Sequence, residues 1–293
     1  MTLSIATHNG PFHADDVMAV GLLRTFVDRE ATVDRSRDPE RWARADVVVD
    51  VGGVFDPDAR RFDHHQKSYE GPRSSAGMVL DWLIDTGRID PLFGQSLRHG
   101  VMDHLDAVDN GRVAPDPTVP CFPRIVAALN EVADSAADFD DAFETAVDVA
   151  SAFLAGLTRG HEKIREAEAA VVAAMEEARE AGRNVIFLDR YVNWKPSYFA
   201  HGGAEHPTEF VLFPGIDGSW RIVAIPPALG DFAQKRSFPE AWAGLTDDAL
   251  TAVTGVPGSV FCHRNRFIAV FQTREGALDA LRSIGFLERS TLR

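Results

Sequence analysis

Histidines and aspartates crowd into three short stretches near the start of the chain. They are His8-Asn9-Gly10-Pro11-Phe12-His13-Ala14-Asp15-Asp16, then Asp50 at the end of Val47-Val48-Val49, then Asp63-His64-His65-Gln66. Imidazoles and carboxylates without a thiolate form a donor set suited to manganese, magnesium, cobalt or zinc. Taken singly, His8 or Asp16 also suits a turn or a helix cap. Asp50 is harder to explain that way, because a carboxylate at the end of a valine run is costly to bury without partners. A fourth stretch, Asp103-His104-Leu105-Asp106-Ala107-Val108-Asp109-Asn110-Gly111, places Asp103, Asp106 and, more loosely, Asp109 on one helix face. By itself it reads equally well as a solvated helix with an Asn-Gly end.

The elements around these residues predict how they meet. Leu3–Thr7 reads as a strand, Ala31–Val33 as a second and Val47–Val51 as a third, buried one with a sharp exit at Gly52-Gly53. A helix follows the first strand, opened by Asp15 and Asp16 and carrying Val17, Met18, Val20, Leu22 and Leu23. Another is capped by Ser74-Ser75. Strands alternating with helices predict an α/β fold with a parallel sheet. In such folds ligands bind at the carboxyl edge of the strands, where the first cluster and Asp50 both fall. Residues 92–182 read as almost wholly helical. His161–Ala181 carries an apolar stripe of Ile164, Ala167, Val171, Ala174, Met175 and Ala178, with Gly182 as its stop. Beyond it the texture changes to strands at 184–188, 209–213, 220–225, 259–262 and 267–270, with a Gly-Ile-Asp-Gly hairpin turn and a last helix at Arg274–Ser283. This predicts a catalytic domain over 1–160, a connecting helix over 161–183, and a smaller C-terminal α+β domain over 184–293.

The charge follows the same division. The chain of 293 residues carries −14, yet residues 184–293 hold 11 acidic and 11 basic side chains, so the whole excess lies in 1–183. A strongly acidic half is unusual for a nucleic-acid binder, unless bound cations reverse its local field. No run approaches the ~18 apolar residues of a membrane span. The N-terminus turns polar too soon for a signal peptide, and the two cysteines, Cys121 and Cys262, form no metal or disulfide pattern. These features predict a cytoplasmic protein with no membrane partner.

The order of these motifs resembles the DHH phosphoesterase superfamily. More narrowly, Thr7–Asp16, Asp50-Val51-Gly52-Gly53-Val54-Phe55-Asp56-Pro57, Asp63-His64-His65-Gln66, Ser74-Ser75-Ala76-Gly77 and Asp106-Ala107-Val108-Asp109-Asn110-Gly111 resemble the melanocyte-proliferating-gene exonuclease family, formerly filed as metal-dependent protein hydrolases. Phe238–Leu245 and Thr273–Leu278 extend the resemblance over nearly the whole chain. It implies a DHH-phosphoesterase-like parallel sheet flanked by helices and a centre of two divalent ions, manganese first. The ligands it implies are His8, Asp15, Asp50, His64 and Asp106, with Asp50 as bridge and His13 where the superfamily usually has a carboxylate. It also implies that His65 contacts the phosphate. The C-terminal part lacks the glycine-rich signature of RecJ-type relatives and has Cys262-His263-Arg264-Asn265-Arg266 in roughly that region.

Three functions compete on this basis. The first is a metal-dependent phosphodiesterase or 3′–5′ exonuclease on RNA or short single-stranded oligonucleotides, catalysis resting on Asp50 and His65. The second is a phosphatase or pyrophosphatase of the same superfamily, and the third a non-catalytic metal-binding protein. His65, Arg236, His263 and Arg274 are the expected substrate contacts, and a homodimer is the expected assembly if there is one. Tyr191, Trp194, Tyr198 and Phe199 could stack bases or simply fill a core.

Overall fold

Val47, Val48 and Val49 are all buried, as a continuous β-branched run must be inside a parallel sheet covered on both faces. They form the centre of the first of two sheets among residues 2–287, which a computed structural model of the protein describes. The described chain divides into two compact units at Arg159/Gly160. Unit 1 runs β1 (Ser4–Thr7), α1 (Ala14–Phe26), β2 (Thr32–Arg35), α2 (Pro39–Arg44), β3 (Val47–Val49), β4 (Phe55–Asp56), β5 (Arg61–Phe62) and α3 (Ser75–Asp85). It continues with α4 (Pro91–Leu97), a π-helical turn at Arg98–Met102, α5 (Asp103–Asp109), α6 (Phe122–Asn130) and the first part of α7 (Ala136–Glu180).

The strand order is β2-β1-β3-β5-β4. β1, β2, β3 and β5 are parallel, and only β4 runs against its neighbour. Register decides what this sheet presents at its carboxyl edge. Ala6 pairs with Val48, and Val48 with Arg61. His8, Asp50 and Asp63 each lie two residues further on, so three chain segments deliver them to one row. β4, β5 and α2 are elements that sequence reading missed; two residues such as those of β5 carry no periodicity of their own, and pairing with β3 supplies the order.

α1 is buried from Ala14 to Leu23, and α3 from Ser75 to Leu80. Both join a core with Phe12, Phe62 and Phe143. The same core takes in Ala146, Val147, Ala150 and Leu154 from the first part of α7. Truncating a fully buried side chain such as Leu22 to Ala costs about 2–5 kcal/mol.

Unit 2 holds the last part of α7, then β6 (Val185–Phe187), α8 (Trp194–Ala200), β7 (Phe210–Pro214), β8 (Trp220–Ala224), α9 (Asp247–Thr254), β9 (Ser259–Cys262), β10 (Ile268–Phe271) and α10 (Arg274–Ser283). Its sheet order is β6-β7-β8-β10-β9, antiparallel except for β6 with β7. Alternation along β7 sends Phe210 and Leu212 to one side, with Phe238, Trp242 and Leu281, and Val211 and Phe213 to the other, with Val171, Met175 and Tyr198. The expected connector at 161–183 is part of one 45-residue helix. Its apolar stripe, Ala167 to Ala178, packs on the β6–β8 side of unit 2, so that stretch is core and the boundary falls before it. No helix among the described residues is long and apolar enough to cross a membrane.

Candidate metal centre

The chain leaves β1 into His8, which is buried. Its Nδ1 lies 3.3 Å from the carbonyl of Asn9. A proton held there leaves the Nε2 lone pair free, as a metal-binding imidazole requires. Nε2 lies 3.3 Å from Asp16 Oδ2 and 3.4 Å from Asp50 Oδ2. The other oxygen of Asp16 accepts from the backbone N–H of His13 and of Val17, which ties the carboxylate to the start of α1.

Asp50 follows β3 in the left-handed region, at φ +55°. Asp tolerates that conformation better than most residues do, and it turns the carboxylate from the valine strand toward the histidines. Oδ2 faces His8; Oδ1 lies 3.5 Å from His64 Nε2 and accepts a 3.1 Å bond from Ser75 Oγ. One carboxylate thus stands between two imidazoles, an oxygen toward each.

His64 is prepared like His8. Its Nδ1 lies 3.2 Å from Asn110 Oδ1, and Asn110 Nδ2 donates to the carbonyl of Asp106 at 2.8 Å, which fixes the amide orientation. Nε2 then points at Asp109 Oδ2 (3.1 Å), Asp50 Oδ1 (3.5 Å) and Asp15 Oδ2 (3.7 Å). Asp15 is wholly buried, and neither of its oxygens has a hydrogen-bond partner. Two orphaned carboxylate oxygens in a protein interior cost several kcal/mol unless a cation or proton meets them.

The electrostatics say the same. Burial, then the charges of Asp50, Asp109 and Asp16, push Asp15 well above the usual carboxylate range. Burial pushes Asp16 up to about 7. Asp50 goes the other way: its burial is outweighed by hydrogen bonds from His64 and His8. Burial also opposes the charge on His64, yet its bonds to Asp109 and Asp50 raise it to about 10, and His8 is raised on the same balance. Raised carboxylates beside raised imidazoles favour protons between them, at positions that a divalent ion would take over. Donor atoms of His8, His13 and Asp50 lie within 4.8 Å of one another, as do those of Asp50, His64 and His65, and of His13, Asp15 and Asp109. Nitrogen and carboxylate donors without thiolate fit manganese, magnesium or zinc.

One expected ligand is not among these groups. Asp106 Oδ1 accepts from the backbone N–H (2.9 Å) and hydroxyl (2.7 Å) of Ser74, while Oδ2 lies 3.4 Å from Arg73. Its carboxylate caps α3, and a Cβ at Gly77 would come within 2.5 Å of its oxygens. Burial raises its proton affinity against those bonds. Asp109 meets His64 instead. Both aspartates sit on α5, one turn apart, and which of the two meets the histidine depends on where α5 docks.

His65 differs from His64 in exposure, 63% against 7% for the side chain. Its Nδ1 lies 2.8 Å from Asp63 Oδ1, which also accepts from the His65 backbone N–H. The second oxygen of Asp63 takes the N–H of Gly53. Asp63 therefore positions His65 and leaves its Nε2 directed away. Two clefts share Pro11, His13 and His65. One, of about 510 Å³, is walled by Leu105, Val108, Pro123 and Val126; the other, of about 590 Å³, by Arg37, Trp42, Asp50 and Gly52.

The remaining expected contacts belong to unit 2 and do not form one group there. Arg236 lies over Phe286, in a cavity with Arg266. Arg274 lies over Phe187 and Trp220, in another cavity with Arg183 and Arg190. The His263 ring packs on Phe267 at 4.5 Å, and its Nδ1 accepts from the N–H of Asn265. Trp194 and Tyr198 are buried core, while Tyr191 is exposed against Phe213.

A protein of Chlamydia pneumoniae named MYG1 protein is 39% identical over 286 residues, covering 95% of both chains. A human protein named MYG1 exonuclease is 33% identical over 321 residues, covering 95% of this chain and 85% of that one. A solved structure of exonuclease RecJ bound to manganese aligns over 97% of this chain and 91% of the other, at a TM-score of 0.28 and 14% identity, too weak a likeness to argue from. Residues 4–283 match the family model named for the MYG1 exonuclease and described as an uncharacterised protein family, UPF0160, and the chain belongs to that family.

Proposed function

We propose that this protein is a metal-dependent phosphodiester hydrolase of DHH-phosphoesterase type, a 3′–5′ exonuclease acting on RNA or short single-stranded oligonucleotides. One observation carries the reading: Asp50 stands between His8 and His64, beside the two orphaned oxygens of Asp15. The name exonuclease on the human and rat relatives supports it. His8, His13 and Asp50 would hold one ion; Asp15, Asp50, His64 and Asp109 would hold the second, with manganese the first choice for both. Two such ions supply Lewis acidity that activates water and neutralises charge on the phosphorus oxygens. With an ion bound, the Asn9 carbonyl and the Asn110 amide oxygen would favour the tautomer of each imidazole that leaves Nε2 open, and Asp63 would hold His65 where an incoming phosphate can accept from its Nε2–H.

The test is to incubate the purified protein and manganese with single-stranded RNA, single-stranded DNA, pyrophosphate and dinucleotides in parallel. Shortening of RNA from its 3′ end, lost on chelation and in Asp50→Asn, is the expected result. Hydrolysis confined to pyrophosphate would replace the reading with that of a small-molecule phosphatase.

A further inference from the structure

The cations beside the sheet edge are nearly all committed. Arg35 pairs with Asp140 and lies over Phe143, Arg41 pairs with Asp34, and Arg44 lies 3.6 Å from Glu40. Arg61 donates to the carbonyls of Ala59 and Ala45. Arg37, in the turn between β2 and α2, is the one Lys or Arg among the residues lining the cleft of His8 and Asp50. It is exposed, no described residue takes up its guanidinium, and it lines the cleft that contains His8, Asp50 and His65. A single guanidinium on a cleft that also takes in His8, Asp50 and His65 suits an anion with more than one charged group.

Trp42 lines the same cleft and is held firmly. Its indole N–H donates to the carbonyl of Ser36 at 2.7 Å, and the ring packs on Ala45, Val48 and Val51. At Gly52, whose φ is +97°, a Cβ would touch the ring at 3.6 Å, so the chain leaves Asp50 against the indole. A half-buried aromatic ring fixed in orientation is a stacking surface that needs little ordering when a flat ligand arrives. The companion cleft offers no such pair: it is walled by leucine, valine and proline, and its charged residues beyond the shared histidines are Asp109 and Glu131.

We infer that Arg37 and Trp42 form a nucleotide subsite next to the metal centre, Arg37 binding the phosphate adjoining the one to be cleaved and Trp42 stacking its base. The inference rests on the phosphodiesterase reading and deepens it. The substrate class is a chain of at least two phosphates with bases attached, which separates an oligonucleotide from pyrophosphate or a simple phosphodiester.

The experiment uses the full chain. Affinity for a fluorescent phosphorothioate single strand is measured by anisotropy, with calcium in place of manganese. Manganese-dependent turnover is measured on an oligonucleotide and on bis(p-nitrophenyl) phosphate. Arg37→Ala should weaken the strand about ten- to a hundredfold and lower the slope of log affinity against log salt by about one. Turnover of bis(p-nitrophenyl) phosphate should change less than about twofold on the same argument, since that ester has no adjoining phosphate. Trp42→Leu should weaken the strand about five- to fiftyfold and Trp42→Phe much less, because a ring remains to stack. The Phe variant separates stacking from damage to the packing around Ala45. Strand affinity unchanged in Arg37→Ala, equal losses on both substrates, or no strand binding by the wild type would each overturn the subsite. A wild type that binds the strand through Arg37 but hydrolyses neither substrate would leave the subsite standing and overturn the phosphodiesterase reading.

Discussion

The two units bury polar groups in opposite ways. Unit 1 encloses Asp15, Asp16, Asp50, Asp63, Asp106 and His8, and leaves three oxygens of Asp15 and Asp16 and the Nε2 of His64 without a hydrogen bond. Unit 2 buries no carboxylate among its described residues. Its interior polar groups, Ser197, His206, Thr208, Thr254 and Ser259, are all bonded: His206 to Thr208 and the Met175 carbonyl, Tyr198 to Thr208, Thr254 to Ser259, Ser197 to the Ile164 carbonyl. Buried polar groups are normally satisfied, so unit 2 shows what a structural interior looks like. In unit 1 the unmet atoms of Asp15, Asp16 and His64 gather at the candidate metal centre. Sites built this way lose stability for function.

Asp50→Asn is the largest way to break this contrast. With the carboxylate between His8 and His64 gone, metal-dependent hydrolysis should fall by at least about a hundredfold, since even outer partners of a metal ligand are worth ten to a hundred. Turnover unchanged at saturating manganese would remove the two-ion proposal. Asp15→Asn should stabilise the metal-free protein at neutral pH by about 1–3 kcal/mol, because the amide needs neither the charge that Asp50, Asp109 and Asp16 repel nor the proton that folding otherwise has to take up. It should at the same time lose the stabilisation that manganese confers on the wild type. A metal-free Asp15→Asn protein less stable than wild type in denaturant would show that these orphaned oxygens are satisfied in solution.

Asp106 and Asp109 sharpen the comparison within one helix. Asp106→Ala leaves the buried Ser74 N–H without its acceptor and takes from Arg73 one of its three carboxylates, Asp81 and Asp103 remaining, and should destabilise the fold by about 2–4 kcal/mol. Asp109→Ala should cost less, because the bond lost to His64 is offset by relief of the repulsion of Asp15. Metal analysis should reverse the order, with Asp109→Ala losing manganese affinity about ten- to a hundredfold. The same assay separates His64→Ala, which should lose metal, from His65→Ala, which should keep metal and lose turnover. Equal metal loss in both histidine variants would show that their roles are wrongly divided.

The pH dependence is a smaller effect. Asp16 is raised from 3.8 to about 7, so the folded chain keeps a proton that the unfolded chain releases, and stability from this group falls as pH rises toward 7. His64, raised from 6.5 to about 10, gives stability that is full below pH 6.5 and is lost as pH rises through 10. Asp50, lowered, acts in the opposite sense only at strongly acid pH. The metal-free protein should therefore melt higher at pH 5.5 than at pH 9, by at least ~3 °C, and saturating manganese should narrow the gap. A metal-free protein that melts higher at pH 9 would contradict the proton-held arrangement. The smallest effect is expected in unit 2. Arg236→Ala or Arg274→Ala should weaken an oligonucleotide by about two- to tenfold and pyrophosphate not at all; equal effects would make their stacking on Phe286, Phe187 and Trp220 purely structural.

The sequence alone determined which residue types are available for chemistry and roughly where. The histidines and aspartates after a first strand and a valine strand, the helix starts near Asp15-Asp16 and at Ser74-Ser75, and the hairpin in the second half follow from local rules: periodicity, helix-start and turn chemistry. Local rules end where partners are distant in the chain. β5 exists because β3 pairs with it, and through that register Asp63 joins His8 and Asp50 in one row. Asp106 and Asp109 are equivalent by spacing, and only the docking of α5 sends one to Ser74 and the other to His64. Arg37 and Trp42 attracted no notice as letters, since an exposed arginine and a tryptophan on a short helix fit any surface. They acquire a chemical setting only from the parallel sheet, whose carboxyl edge brings β2–α2, β1 and β3 to the same cleft.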